Sequence, residues 1–355
     1  MPDSSPNRYA RQIRFSPIGE SGQKKLAESS VAVVGCGALG TVAAEILARA
    51  GVGHLRLIDR DVVEWTNLQR QSLFVEHDAN VGNAKADAAA QQLGRINSTI
   101  DVRPIVSDVH AANIRTHLAG VDLVIDATDN FHVRFLINDW SLDCQIPWVH
   151  GGCVGASGQV RLFDGSGSPC FRCLVPMPPP PEAIQTCDTS GVVGSATHLI
   201  ASLQATEAIK WLSGNRDSIR TNVISIDLWN NRIREIEIAP SLSKVCRACG
   251  QGKREFLDGT LGSMDGGATV LCGRNAVQLD ATSDTPPSLS KTADRWREFA
   301  SVQVTPFFIR VDLRDQHDVS AAGKVLTLFR DGRIVVDGTE DPSIARMLRD
   351  RFVGG

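Results

Sequence analysis

Apolar positions along this chain fall into two alternating patterns. Short, nearly unbroken apolar runs at 31–34, 54–58, 121–127 and 223–226 read as strands buried on both faces, as in a parallel sheet. Between them lie longer segments whose small and apolar residues recur at helical spacing. The first run, VAVV, leads into Gly35, Gly37 and Gly40, then a small-residue helix over 41–50 that Gly51 and Gly53 stop. The second strand ends on Asp59. Downstream the pattern predicts a helix within 78–96, a strand at 100–105, a short helix at 113–119 and a helix at 130–144. Strands follow from 147 and over 159–163, then a helix at 192–211 and strands at 223–226 and 233–238. Residues 8–30 read as polar helix interrupted by Gly19 and Gly22. This alternation implies an α/β fold, a Rossmann-like, doubly wound, mostly parallel sheet with helices on both faces.

After residue 250 the pattern changes. Strands are expected at 307–313 and 325–329, a hairpin turn at Asp331-Gly332, and a strand at 334–336. A helix is expected at 293–300, and Asp341-Pro342 should open a last helix that ends near Phe352. The chain therefore divides into domain 1–250 and a small α+β domain, 251–355, in which no catalytic motif is recognised. The proline-rich stretch 176–181 reads as an extended loop.

Composition mainly excludes. A formal net charge of −3 and pI near 6.2 point to neither nucleic acid nor an anionic membrane. No apolar run is long enough to span a bilayer, and the start of the chain lacks the apolar region of a signal peptide, so a soluble cytoplasmic protein is expected. Nine cysteines in 355 residues do not make a disulfide scaffold. Four of them form two C-x-x-C pairs, Cys170/Cys173 and Cys246/Cys249, enough thiolates for a closed, structural Zn2+ site.

The candidate chemistry begins at the glycine turn. Gly35, Gly37 and Gly40 let backbone approach phosphate at a helix N-terminus, and Asp59 stands where ribose hydroxyls would be bound. That much fits a dinucleotide as well as ATP. The next residues change the picture: Asp61, Asn67, Gln69 and Arg70 in DRDVVEWTNLQRQ, Lys85 in VGNAKAD, and Asp129 with Asn130 in VIDATDN. Cations beside a nucleotide suit a triphosphate, and a further carboxylate at a strand end suits Mg2+. An NAD-dependent oxidoreductase has the same glycine turn but leaves these residues and the cysteine pairs unexplained. A non-catalytic carrier-binding scaffold would predict loss of Arg70 or Asp129.

Taken together with RYARQI near the start, this ordered set resembles the ThiF/MoeB/HesA-type adenylyltransferases, relatives of the ubiquitin-activating enzymes, over about residues 8 to 250. The resemblance implies ATP- and Mg2+-dependent adenylation of the C-terminal glycine of a ubiquitin-like sulfur carrier (ThiS- or MoaD-like) that ends in Gly-Gly. It places Arg70 and Lys85 on phosphate oxygens and Asp129 on Mg2+. It implies a homodimer in which Arg11 reaches the partner's triphosphate, and a sulfur-transfer or covalent role for Cys187. The sulfur donor, such as a cysteine desulfurase or a rhodanese, is expected to be a separate protein, and the pathway to be thiamine, molybdenum cofactor or a relative. The final Gly354-Gly355 matches the ending of such carriers, but a helix running to about Phe352 leaves too short a tail to thread into a site.

Overall fold

The computed structural model describes residues 8–167, 169–180, 190–261, 267–271, 275–282, 286–313 and 321–354. The chain divides into two compact units, Met1–Gly262 and Ser263–Gly355. No helix among the described residues is long and apolar enough to cross a membrane.

The first unit opens with α1 (Ala10–Ile13) and α2 (Gly19–Glu28). Next come β1 (Ser30–Val34), α3 (Ala38–Ala50), β2 (His54–Asp59), α4 (Glu76–Val81), α5 (Lys85–Ile96) and β3 (Asp101–Val106). The chain continues through α6 (Ile114–His117), β4 (Leu123–Asp126), α7 (Phe131–Cys144), β5 (Trp148–Val154), β6 (Ser157–Phe163) and α8 (Phe171–Leu174). It ends with α9 (Gly194–Ser213), β7 (Val223–Asp227), β8 (Arg232–Ile236) and α10 (Ser241–Val245). The eight strands form one sheet in the order β3-β2-β1-β4-β5-β6-β7-β8. The first five are parallel and the last three antiparallel.

Strand β1 explains why the apolar run is unbroken. Val31 and Val33 face one core, with α3, α5 and α9, while Ala32 and Val34 face the other, with α6, α7 and α8. Both faces are buried, so no polar alternation survives. The strand order reverses at β1, with β2 on one side and β4 on the other, which opens a crevice at the carboxyl ends of these strands.

The helix expected within 78–96 is preceded by the separate α4, because Gly82 takes a left-handed conformation at φ +61° and ends it. The break makes Lys85 the first residue of α5. Residues after Cys249 still belong to the first unit: Phe256 and Leu257 are buried in the core under α7.

The second unit is an antiparallel sheet of six strands in the order β11-β12-β13-β14-β10-β9. These are β9 (Ala268–Leu271), β10 (Ala276–Leu279), β11 (Val302–Val304), β12 (Phe308–Asp312), β13 (Val325–Phe329) and β14 (Ile334–Asp337). One face packs Ile309, Val311, Leu326 and Leu328 with Ala293 and Trp296 of α11 (Leu289–Arg297) and Leu348 of α12 (Pro342–Phe352). The Asp331-Gly332 turn joins β13 to β14, with Gly332 at φ +88°. Asp341 caps α12 through the Ser343 N–H at 2.7 Å. Strands β9, β10 and β11 are not foreseen in the sequence, since runs of three or four residues carry too little periodicity.

Candidate active site

The glycine turn sits between the ends of β1, β2 and β4. Gly35 has φ +92°, and a Cβ there would lie 2.7 Å from the Ala127 carbonyl oxygen. A Cβ on Gly40 would lie 1.8 Å from the Gly35 carbonyl, so α3 presses directly on the turn. Gly37 is the N-cap of α3 and supplies no side-chain acceptor to the helix's first N–H groups. Such an end attracts anions. Gln71 is buried beside this turn, and its Oε1 has no hydrogen-bond partner among the described residues.

Asp59 ties the turn to β2. Its Oδ2 accepts from the Cys36 N–H at 2.6 Å and its Oδ1 from the Asp61 N–H at 2.7 Å. Burial raises the Asp59 carboxyl, against the pull of Lys85. Lys85 Nζ lies 3.1 Å from Asp61 Oδ2, and the Lys85 N–H donates to the Asp61 carbonyl at 2.9 Å. Burial acts to lower this ammonium, but Asp61, Asp59 and Asp129 outweigh it and hold it well above the ordinary lysine value. Arg60 joins the cluster: its Nη1 donates to Asp108 Oδ2 at 2.9 Å and its Nε stands 3.9 Å from Asp61 Oδ1. Burial again opposes, and Asp108, Asp61 and Asp129 raise it. Two charged cations, Lys85 buried and Arg60 half-buried, thus stand among carboxylates at the crevice.

Arg60 and Asp108 are not among the sequence candidates. Arg60 is hidden between two acids in Asp59-Arg60-Asp61, and Asp108 only becomes its partner once β3 lies beside β2.

Asp129 is exposed, three residues beyond Asp126, the centre of a buried network at the end of β4. Asp126 Oδ2 pairs with Arg134 Nε at 2.8 Å and His150 Nδ1 at 3.1 Å. Its Oδ1 accepts from the Thr128 hydroxyl at 2.7 Å, and Arg134 Nη2 donates to the Thr128 carbonyl at 2.7 Å. Burial alone would raise Asp126; Arg134, His150 and Thr128 hold it down at about 2. The loop that carries Asp129 is therefore fixed from below. Asn130 caps α7, its Oδ1 accepting from the His132 N–H at 2.8 Å.

The other sequence candidates make local contacts or face solvent. Asn67 Oδ1 accepts from the Glu64 N–H at 3.0 Å, a local cap, and Gln69 is exposed. The Arg70 guanidinium donates to the carbonyl of Thr66 at 2.8 Å. Arg11 is exposed on α1, which is docked in place by Gln12 Nε2 donating to the Ala50 carbonyl at 2.8 Å. Cys187 lies outside the described residues.

The two C-x-x-C pairs meet. Cys170 and Cys246 sulfurs are 3.7 Å apart, Cys173 and Cys249 3.5 Å, and all four lie within 4.8 Å of one another. A tetrahedral zinc with bonds of about 2.3 Å needs sulfurs about 3.8 Å apart, so the residues fit that metal. Hydrogen bonding from Cys170 lowers the Cys173 thiol toward thiolate, the form a metal takes. Glu255 lies beside both pairs. It accepts from Arg172 Nη2 at 2.9 Å and Arg247 Nε at 3.1 Å, and its other oxygen meets Arg247 Nη2. These bonds, that from Arg247 foremost, hold its carboxyl down at about 2.

Comparison with known proteins matches residues 9–248 to the model of the ThiF family. The chain is 38% identical over 348 residues to the sulfur carrier protein ThiS adenylyltransferase of Bacillus subtilis (strain 168), covering 98% of this chain and 99% of that one. It is 40% identical over 242 residues to the adenylyltransferase and sulfurtransferase MOCS3 of Culex quinquefasciatus, covering 68% of this chain but only 55% of that protein. Among solved structures, E. coli MccB with ATP superposes with a TM-score of 0.60 at 24% identity, covering 69% of this chain and 75% of that chain. At that identity the likeness shows the fold.

Proposed function

Because the chain belongs to the ThiF family, we propose that it uses ATP to adenylate the C-terminal glycine carboxylate of a ubiquitin-like sulfur carrier. In this reading a carboxylate oxygen of the carrier attacks the α-phosphorus. The bond from that phosphorus to the bridging oxygen breaks, and pyrophosphate leaves with the electron pair. The acyl-adenylate product is then open to attack by a separate sulfur donor.

The observation that carries the reading is the cation cluster beside the glycine turn. Lys85, buried, and Arg60, half-buried, are charged and fixed by Asp61 and Asp108 before any substrate arrives. Such preorganised charge stabilises what develops on a departing pyrophosphate, and the reaction needs no nucleophilic side chain. A nicotinamide site has no use for it. Asp129 offers an exposed carboxylate oxygen, the ligand type Mg2+ prefers, and Mg2+ there would supply further charge neutralisation. Arg70, next in the chain to the Gln71 that stands beside the turn, would contribute a phosphate contact once it leaves the Thr66 carbonyl. Cys187 would act only after adenylation, if at all. The zinc would be structural.

The relative that matches nearly the whole chain is a ThiS adenylyltransferase, so a ThiS-type carrier is the first to test, ahead of a MoaD-type one. Purified protein should exchange labelled pyrophosphate into ATP only when carrier and Mg2+ are both present. A carrier shortened by its last glycine should give none. No exchange with any Gly-Gly carrier, together with measurable NAD(H) binding, would overturn the reading.

Arg11 extends the proposal to a homodimer. An exposed arginine on a short helix can neutralise phosphate charge in a neighbouring subunit. Mixing Arg11→Ala chains with Asp129→Ala chains is expected to restore exchange, because one site of each mixed dimer carries neither defect. If Arg11 acts within its own chain, subunit exchange restores nothing.

A further inference from the structure

We propose that Glu255 is a positioning residue that clasps the two C-x-x-C loops together through contacts other than sulfur. Each loop carries an arginine between its cysteines: Arg172 in Cys170-Phe-Arg-Cys173 and Arg247 in Cys246-Arg-Ala-Cys249. The single Glu255 carboxylate meets both, at 2.9 Å from Arg172 Nη2 and 3.1 Å from Arg247 Nε. The cysteines so joined are 76 residues apart in the chain.

Glu255 is itself held in place. The next residue, Phe256, donates its N–H to Asp139 Oδ2 of α7 at 3.0 Å and packs its ring 4.8 Å from that of Phe135. The Leu261 N–H returns to the Glu255 carbonyl at 2.9 Å. Glu255 is thus anchored to α7 through its neighbour Phe256, with one loop tied to its carboxylate on each side.

Two physical consequences follow. A metal that meets two loops already in register spends less of its binding free energy on ordering chain, so it leaves more slowly. Four thiolates around one divalent ion also carry net negative charge, and Arg172 and Arg247 offset it from positions adjacent to the ligands. Partners of this kind, one step behind the ligands, typically change metal affinity by about 10–100-fold when removed.

The inference rests on the zinc reading, and its test separates the two. The full-length protein is purified, its zinc content is measured, and release to a chromophoric chelator is followed at neutral pH. Arg247→Ala is the safest variant, since that side chain is 57% exposed. It should release zinc about 10-fold faster or more, as should Glu255→Gln. Arg247→Lys, which keeps the charge, should recover part of the difference. Release unchanged in Arg247→Ala and Glu255→Gln, with zinc fully loaded, overturns the clasp alone. Wild-type protein without zinc overturns the metal reading and the clasp with it. Melting temperatures lowered equally with and without chelator, at wild-type release rates, would reduce Glu255 to a fold-stabilising residue and also overturn the proposal.

Discussion

Asp129→Ala is expected to lower Mg2+-dependent pyrophosphate exchange by roughly two to three orders of magnitude while leaving the melting temperature nearly unchanged. The first half follows from losing the carboxylate proposed to hold Mg2+: without the metal's charge neutralisation the loss is on the scale of removing one preorganised transition-state donor, about 10²–10³-fold. The second half follows from exposure: Asp129 accepts no hydrogen bond and joins no ion pair among the described residues. Exposed substitutions of this type stay within about 0.5 kcal/mol. Lys85 and Arg60 keep their nearer partners, Asp61 and Asp108, so the cluster stands without it. Exchange and thermal melting on the same preparation check this. Retained activity would remove Asp129 from the site, and activity lost together with several degrees of melting would mark it as structural.

Arg134→Met is expected to do the reverse and cost about 3–5 kcal/mol of stability, because it leaves the buried Asp126 carboxylate without its chief cation. For a unit of this size that is a fall of roughly 10 °C in melting temperature. The pH dependence gives a sharper check. Asp126 is held at about 2 in the fold, against about 3.9 in an unfolded chain. A depressed carboxyl contributes stability that is complete above the unfolded value and is lost as pH falls through the folded one. Wild-type protein should therefore lose this contribution between about pH 4 and pH 2. The variant, with Asp126 raised by burial that only His150 and Thr128 still oppose, should be most destabilised near neutrality and approach wild type in acid. A difference between the two that is flat across that range would show that Arg134 acts by packing alone. Burial, and then Arg134, lower His150 in the native protein. Its imidazole should titrate higher in the variant, a shift that magnetic resonance can follow.

The nucleotide half of the fold is legible because its signals are local. A strand buried on both faces must be apolar throughout, as Val31 and Ala32 are on opposite sides of β1. A turn that would drive a Cβ into the Ala127 carbonyl admits only glycine at Gly35. The cysteine pairs are legible for the same reason, since two ligands three residues apart already define half a site. What escapes is long-range pairing. Nothing in the order of residues shows that Arg60 will meet Asp108, or that Glu255 will find one arginine in each cysteine loop. The three short strands β9, β10 and β11 escape because a four-residue apolar run fits a helix turn equally well. Asn67, Asn130 and Arg70 are legible as polar residues at turns and helix ends, where their side chains make short-range backbone contacts.

The separation of the cysteine pairs also sets a schedule for the ribosome. Cys170 and Cys173 emerge 76 residues before their counterparts. At about 5–20 residues per second, that is an interval of roughly 4–15 s. Through it the first pair must stay reduced and unpaired, with its arginine still lacking Glu255. The parallel strands β1 to β5 are complete before the interval begins, so the nucleotide crevice can take shape while the metal knot waits. Oxidant present during translation should therefore injure this protein at Cys170 and Cys173 in nascent chains, and spare the same residues in finished ones.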